Sequence, residues 1–88
     1  MPSGRRSENE IQDWCLAYLK RALDDPSIAI GPHLTFAEMG LDSASSTYFV
    51  VELEEWLGIE LEPEIVGEYP TIAELAPQVA ARQDGGGP

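Results

Sequence analysis

Basic residues are scarce in this chain. Lys and Arg together number 5 against 16 Asp and Glu, which gives a formal net charge of −11. The stretch from Ala22 to Ala81 contains no Lys or Arg at all. Proteins that bind nucleic acid or an anionic membrane surface depend on such residues to contact phosphates. We therefore expect neither ligand, and we expect a protein partner with a basic surface, because opposite potentials accelerate association and fix its orientation.

Residues that carry catalysis or bind metals are also few. The chain has one Cys, one His and one Lys. The single cysteine, Cys15, cannot form an internal disulfide, which fits a reducing compartment. No zinc-type spacing, calcium-binding loop or glycine-rich phosphate loop is present, and His33 has no neighbouring nucleophile with an orienting third group. These absences predict a protein without a metal site or a catalytic activity of its own.

Long hydrophobic runs are missing as well. No apolar segment approaches the roughly 20 residues that span a bilayer, and Met1–Asn9 lacks the apolar centre of a secretion signal. A chain of 88 residues has room for one small domain. We expect this domain at residues 7–83, between a polar flexible tail at 1–6 and a glycine-rich flexible tail at 84–88. We expect a cytoplasmic monomer.

The first predicted helix begins near Ser7. Ser7 and Glu10 have the spacing of a capping box, in which each side chain bonds the backbone N–H of the other residue. Apolar side chains then recur at helical spacing along one stripe: Ile11, Trp14, Cys15, Tyr18, Leu19, Ala22 and Leu23. Asp24-Asp25-Pro26 ends the helix, because a residue that precedes proline avoids the helical conformation.

A long connection, from Ile28 to Gly40, separates this helix from the second one. Its apolar side chains are the expected anchors to the core: Ile28, Ile30, Leu34, Phe36 and Met39. The alternation of Leu34 and Phe36 is typical of a strand, but the sequence offers no second strand to pair with it. The second helix is predicted to begin at Asp42 or Ser43 and to end at Gly58, since glycine commonly terminates helices.

The second helix carries apolar residues on two faces. One stripe is predicted to be buried: Phe49, Val50, Leu53 and Leu57. A second, partly apolar face consists of Ala44, Thr47, Tyr48 and Val51. Such a helix contacts its own core through one face and leaves the other for something else to bind.

Two further helices complete the predicted fold. Glu62-Pro63-Glu64 opens a short third helix, which Pro70 closes. The last helix begins at Thr71, where Thr71 and Glu74 have the spacing of a second capping box. Pro77 removes one backbone hydrogen bond and is expected to kink or shorten this helix. The sequence therefore predicts an all-α protein, a small four-helix bundle with three long helices, one short helix and a long first loop.

The segment Gly40-Leu41-Asp42-Ser43 brings a serine to the start of the second helix. In one interpretation, Asp42 or Ser43 serves only as the N-cap. In the other, the serine carries a phosphate, since backbone amides and the helix dipole favour an anion at a helix N-terminus. Capping alone does not explain the neighbouring apolar face, or the acidic run that follows: Glu52, Glu54, Glu55, Glu60, Glu62, Glu64 and Glu68.

This segment resembles the phosphopantetheine attachment motif of acyl carrier proteins. Phe36–Gly40 is similar to the lead-in to that motif, and Leu53–Ile59 is similar to the end of the family's recognition helix. Tyr69–Ile72, with Leu75 after it, looks like the entry into the family's last helix. The combination covers nearly the whole chain and is far more specific than an Asp-Ser pair alone. The resemblance implies a four-helix bundle of the acyl-carrier type.

The resemblance also implies roles for individual residues. Ser43 would receive 4′-phosphopantetheine from coenzyme A through a separate magnesium-dependent phosphopantetheinyl transferase, and the thiol of this arm would hold an acyl group as a thioester. Asp42, with Leu41 beside it, would help the transferase to recognise the site. Six further residues are implied contacts of the arm or of partner enzymes with basic patches: Ala44, Thr47, Tyr48, Val51, Glu54 and Glu55. The other implied partners are an acyl-loading enzyme, which is an acyltransferase or an adenylating ligase, and a ketosynthase or other synthase domains.

Two positions depart from the family pattern. Tyr48 stands where many members have an acidic residue, and Ala44 stands where a larger aliphatic residue is usual. Both departures concern which partners bind and not the carrier role. Ser45 and Ser46 are alternative attachment hydroxyls, but they lie inside the first turn, and Ser46 is expected to turn toward the core. We therefore favour Ser43.

The pathway is also suggested by resemblance. Leu41-Asp42-Ser43 is more similar to polyketide and fatty-acid carriers than to peptidyl carriers. Glu68–Ile72 is more similar to carriers of modular polyketide synthases than to the carrier of fatty-acid synthesis. We expect a carrier of polyketide or hybrid polyketide/nonribosomal peptide biosynthesis. The alternative is an unmodified acidic protein-interaction module, an adaptor or inhibitor, in which Ser43→Ala leaves function intact.

Overall fold

The computed structural model describes residues 6–85 of the chain. In this range the chain forms four helices, and a long connection lies between the first two. Numbered in chain order, they are α1 Glu8–Leu23, α2 Ser43–Leu57, α3 Ile65–Glu68 and α4 Ile72–Gly85. The predicted all-α bundle with three long helices and one short helix is confirmed.

Helix α1 begins and ends where the sequence predicts. The Glu10 N–H donates to the Ser7 hydroxyl at 3.1 Å, and the Ser7 N–H donates to the Glu10 carboxylate at 2.9 Å, which is the predicted capping box. At the other end, Asp24 adopts a left-handed conformation with φ 43°, and its N–H donates to the Lys20 carbonyl. This conformation turns the chain out of the helix before Pro26.

A single apolar core joins the long helices to the first loop. The buried face of α1 packs against α4. The buried side chains are Ile11, Cys15, Leu19, Phe36, Met39, Leu41, Phe49, Val50, Leu53, Leu57, Leu61, Ile65, Ile72, Leu75, Ala76, Val79 and Ala80. All four residues of the predicted buried stripe on α2 are among them. Removal of this apolar surface from water is the main force that holds the bundle together.

The first loop is fastened to the connection between α3 and α4. The Phe36 N–H donates to the Pro70 carbonyl at 2.9 Å, and Thr35 forms an isolated antiparallel bridge with Thr71. The strand-like stretch around Leu34 therefore has a pairing partner, which the sequence analysis did not foresee. Four of the five predicted anchors belong to the core or pack against it: Phe36 and Met39 are buried, and Ile30 and Leu34 are half-buried. Ile28 is half-buried too, but it lines a surface pocket with Leu23 and Ile30.

Helix α4 continues through Pro77 to Gly85. Of the two expected effects of Pro77, shortening of the helix does not occur, because proline removes only the bond that its own N–H would give to the Ala73 carbonyl, and the apolar side of α4 remains buried around it. A kink at Pro77 stays a prediction. At the start of the helix, the Glu74 N–H donates to the Thr71 hydroxyl at 3.2 Å. The Glu74 carboxylate accepts a bond from that same hydroxyl, and not from the Thr71 N–H as a full capping box requires.

The two ends of the described chain meet. The Arg6 N–H donates to the Gln83 side-chain carbonyl at 2.7 Å, and the Gln83 side-chain NH₂ donates to the Arg6 carbonyl at 2.8 Å. Of the predicted tails, residues 1–5 and 86–88 lie outside the described residues, whereas Arg6 is bound to Gln83 and the backbone of 84–85 belongs to α4.

Candidate functional site

Ser43 is the first residue of α2, and its side chain is exposed. Asp42 is the N-cap, and its carboxylate accepts a hydrogen bond from the Ser45 N–H at 2.8 Å. This bond, followed by a weaker one from the Ser45 hydroxyl, lowers the pKa of Asp42 below its ordinary value. Because Asp42 caps the helix, the hydroxyl of Ser43 is not needed for capping and is presented to solvent.

The turn before Ser43 depends on two residues of contrasting burial. Gly40 has φ 95°, a conformation that glycine adopts without the strain of a side chain. Leu41 follows with its side chain buried in the core, and its N–H donates to the Phe36 carbonyl at 3.0 Å. The buried leucine anchors the turn, so that Asp42 and Ser43 come to the surface together.

The side-chain hydroxyls that follow Ser43 in α2 are either partly buried or hydrogen-bonded to the backbone. Ser45 and Ser46 are half-buried. The Thr47 side chain is exposed, and its hydroxyl donates to the Ser43 carbonyl at 2.9 Å. In the first turn of α2, Ser43 is therefore the serine whose hydroxyl faces solvent, at the end of the helix where the dipole favours an anion.

A groove of about 680 Å³ opens beside Ser43, between α2 and α3. Its apolar walls include Phe36, Pro63, Val66 and Pro70. An exposed hydroxyl at the mouth of an apolar groove fits a covalently attached pantetheine chain, whose methyl and methylene groups can lie along such walls. The sequence analysis placed Pro63 at the start of the third helix but selected neither Pro63 nor Val66 as a site residue, because only the folding of the chain brings α3 beside α2.

The predicted partner face lies on the outer side of α2. Ala44, Thr47, Tyr48 and Val51 are all exposed. Tyr48 is 69% exposed and Val51 is 39% exposed, and they are the large exposed hydrophobic side chains of the described chain. An exposed aromatic side chain at this position of α2 is suited to contact a partner protein.

Glu54 and Glu55 differ in environment although they are adjacent. Glu55 is exposed. Glu54 is half-buried, and its carboxylate accepts a hydrogen bond from the Leu61 N–H at 2.6 Å, across the turn at Gly58. The sequence analysis missed this bond. The only hint of it in the sequence is Gly58, which ends α2 and allows the chain to turn back toward Glu54. A partner contact for either glutamate stays a prediction.

Two further kinds of feature are absent from residues 6–85. No helix in this range combines the length and apolar composition that crossing a bilayer requires. His, Cys, Asp and Glu side chains of the same residues form no group of three or more that could hold a metal ion.

Comparison with known sequences points to one family. The family model described as "Phosphopantetheine attachment site" matches residues 13–78. Polyketide synthase PksM of Bacillus subtilis is 37% identical over 62 residues, which cover 70% of this chain and 2% of that protein. Acyl carrier protein TtuC of Teredinibacter turnerae is 27% identical over 73 residues, which cover 83% of this chain and 84% of TtuC. The chain spans only 2% to 4% of the length of the polyketide synthases that it matches.

A solved structure has the same fold. It is the crystal structure of a free-standing peptidyl carrier protein from an uncharacterized secondary metabolic pathway of Acinetobacter baumannii. The TM-score is 0.76 at 26% sequence identity, and the superposition covers 86% of this chain and 95% of that one.

Proposed function

The chain belongs to the family of proteins with a phosphopantetheine attachment site, and we propose that Ser43 is its attachment residue. One observation carries this assignment: Asp42 caps α2, which leaves the Ser43 hydroxyl exposed at the mouth of the α2–α3 groove. Ser45 and Ser46 are half-buried and therefore less exposed than Ser43.

In this proposal a transferase joins the Ser43 oxygen to the phosphate of the pantetheine arm. A phosphodiester bond forms at Ser43, the pyrophosphate bond of coenzyme A breaks, and adenosine 3′,5′-bisphosphate leaves. The N-terminal end of α2 stabilises the negative phosphodiester, a contribution of about 0.3–1 kcal/mol at an exposed site. Once attached, the arm supplies the thiol that holds an acyl group as a thioester.

We propose polyketide biosynthesis as the pathway, with a hybrid polyketide/nonribosomal peptide pathway as the nearest alternative. The 37% identity to part of PksM supports the first. The structural similarity to a free-standing peptidyl carrier protein supports the hybrid pathway as the alternative.

The chain acts as a substrate carrier and supplies no catalytic group in this proposal. The enzymes that serve it are the phosphopantetheinyl transferase, an acyltransferase or adenylating ligase that loads it, and a ketosynthase or other synthase domain. A carrier must leave each enzyme in turn, so docking has to be fast and reversible. The net charge of −11 favours rapid encounter with basic surfaces.

Intact-mass measurement tests the attachment. The purified protein is incubated with coenzyme A, Mg²⁺ and a broad-specificity phosphopantetheinyl transferase. We expect a gain equal to one phosphopantetheine group. Ser43→Ala should abolish the gain, and the matched control Ser45→Ala should retain it.

Two results would contradict the proposal. A gain that persists in Ser43→Ala would move the attachment to another hydroxyl. No gain on folded wild-type protein would remove the carrier role and favour the unmodified acidic interaction module.

A further inference from the structure

Helix α3 forms the wall of the α2–α3 groove that faces α2. Val66 and Gly67 of α3 line the groove, together with Pro63 and Glu64 immediately before the helix. Ser43 lines the same groove from the side of α2. The space beside Ser43 therefore depends on how firmly α3 is held in place.

Helix α3 has little stability of its own. It consists of four residues, whereas isolated helices shorter than ~12–15 residues are already marginal in water. Its N-cap, Glu64, makes no side-chain capping bond. Gly67 lies inside the helix, where glycine loses more backbone freedom on folding than any other residue. Contacts with other segments must therefore hold α3 beside α2.

These contacts lie within α3 and at both of its ends. Ile65 is buried in the core. After the helix, the Phe36 N–H of the first loop donates to the Pro70 carbonyl at 2.9 Å. Before the helix, the Leu61 N–H donates to the Glu54 carboxylate at 2.6 Å. Of these two hydrogen bonds, the second depends on a side chain, so that one substitution removes it.

Glu54 holds the turn between α2 and α3 through three backbone N–H groups. Its own carbonyl accepts from the Gly58 N–H at 2.7 Å and from the Ile59 N–H at 3.3 Å, and its carboxylate accepts from the Leu61 N–H. Loss of the Glu54 side chain leaves the two carbonyl bonds, and with them the end of α2. The loss therefore acts on Leu61 and on the segment that leads into α3.

We propose that Glu54 is a positioning residue for the site at Ser43. Its bond to Leu61 holds α3 beside α2, and α3 opens, widening the α2–α3 groove, when this bond breaks. Glu54 lies about 16 Å from Ser43 along the axis of α2 and does not line the groove, so it acts through α3. The proposal rests on the attachment function proposed above, which makes the groove beside Ser43 a functional site.

Hydrogen exchange of the unmodified full chain, followed by nuclear magnetic resonance, tests this role. The reporters are the Gly67 N–H, bonded to the Glu64 carbonyl, and the Tyr69 N–H, bonded to the Ile65 carbonyl. Exchange is measured under conditions in which its rate reports the population of the open state. We expect Glu54→Ala to lower the protection of both reporters about fivefold. Glu54→Gln should lower it less, because its side-chain oxygen can still accept from Leu61.

Two control variants separate the opening of α3 from unfolding of the whole protein. Glu55→Ala makes the same change in net charge at an exposed neighbouring position and should leave the reporters unchanged. Trp56→Ala removes a ring that contacts Trp14 and Arg6. It should lower the protection of amides that exchange only through global unfolding and leave the α3 reporters unchanged, because α3 opens without global unfolding.

Gly67→Ala should have the opposite effect to Glu54→Ala. A Cβ atom added at Gly67 meets no other atom within 4 Å, and the φ angle of Gly67 is not positive, so alanine fits there without strain. Alanine also favours the helical conformation. We expect this variant to raise the protection of the Tyr69 N–H about threefold.

Three results would overturn the proposal. The first is unchanged protection of α3 in Glu54→Ala while amides that exchange through global unfolding lose protection. The second is an equal loss in Glu55→Ala, and the third is a loss in α3 as large as elsewhere in Trp56→Ala. A chain that shows the expected exchange but accepts no phosphopantetheine group would instead contradict the attachment at Ser43, and the role of Glu54 in holding α3 would stand.

Discussion

The indole rings of Trp14 and Trp56 lie face to face between α1 and α2, with centroids 4.9 Å apart and planes inclined by 8°. Tyr18 stacks on the Trp14 ring at 5.3 Å, and the Arg6 guanidinium lies 5.0 Å from the centre of the Trp56 ring. The stack joins the N-terminal half of α1 to the C-terminal end of α2. It lies at the end of α2 opposite to Ser43, about 20 Å away along the helix.

This stack should contribute to stability and not to docking. Trp56→Ala removes a half-buried ring together with its stacking and cation–π contacts, and we expect the free energy of unfolding to fall by about 2 kcal/mol. Urea denaturation followed by far-ultraviolet circular dichroism measures the change. The control is Tyr48→Ala, which removes an exposed ring and should change stability by less than about 0.5 kcal/mol. Equal losses in both variants would show that the stack adds nothing.

The two adjacent glutamates of α2 should respond differently to substitution. Glu54→Ala removes the acceptor of the Leu61 N–H and should lower the free energy of unfolding by about 1 kcal/mol. Glu54→Gln keeps a side-chain oxygen that can accept from the Leu61 N–H, so it should lower the free energy of unfolding by less than Glu54→Ala does. Glu55→Ala, at an exposed position, should have little effect in the same urea titration. If Glu54→Ala is as stable as Glu55→Ala, the bond to Leu61 is not stabilising.

Asp42 should give the protein part of its sensitivity to acid. The Ser45 N–H holds the pKa of Asp42 below its ordinary value in the folded chain. A depressed folded pKa stabilises the fold above the ordinary value, near pH 4, and this contribution disappears as the pH falls through the folded pKa. The midpoint of urea unfolding in wild type should therefore fall more steeply below pH 4 than in Asp42→Asn, whose amide still caps the helix.

The matched control for Asp42→Asn is Asp13→Asn. Asp13 lies within α1, away from the start of any helix. If the capping bond of Asp42 causes the acid sensitivity, only Asp42→Asn should weaken the pH dependence of the urea-unfolding midpoint. Asp13→Asn should behave like wild type. Equal acid profiles for wild type and Asp42→Asn would reject it.

Cys15 should be unreactive in the folded protein. Burial raises the pKa of its thiol to about 12, so almost no thiolate is present near neutral pH. Ellman's reagent at about pH 8 should leave the native, unmodified chain untouched and should detect one thiol after unfolding in urea. After the phosphopantetheine arm is attached, the native protein should show one reactive thiol, which belongs to the arm. Rapid reaction of the native, unmodified chain would contradict the burial of Cys15.

Local features could be predicted because they depend on residues only a few positions apart. Ser7 and Glu10 cap α1 through bonds between positions three apart, and the buried stripes of α1 and α2 follow from helical periodicity. The motif from which we propose the attachment residue is equally local, since Gly40, Asp42 and Ser43 are near neighbours.

Contacts between distant segments depended on how the helices pack. Arg6 and Gln83 are 77 positions apart, and no sequence pattern connects them. The continuity of α4 through Pro77 also follows from tertiary packing, which compensates for one lost backbone bond. The sequence by itself determined the four helices and the serine that begins α2, because short-range spacing controls them. Only the tertiary structure decided that Glu54 is bonded within the chain and that Tyr48 forms a cleft with α1, because these contacts exist only once the core has brought separate segments together.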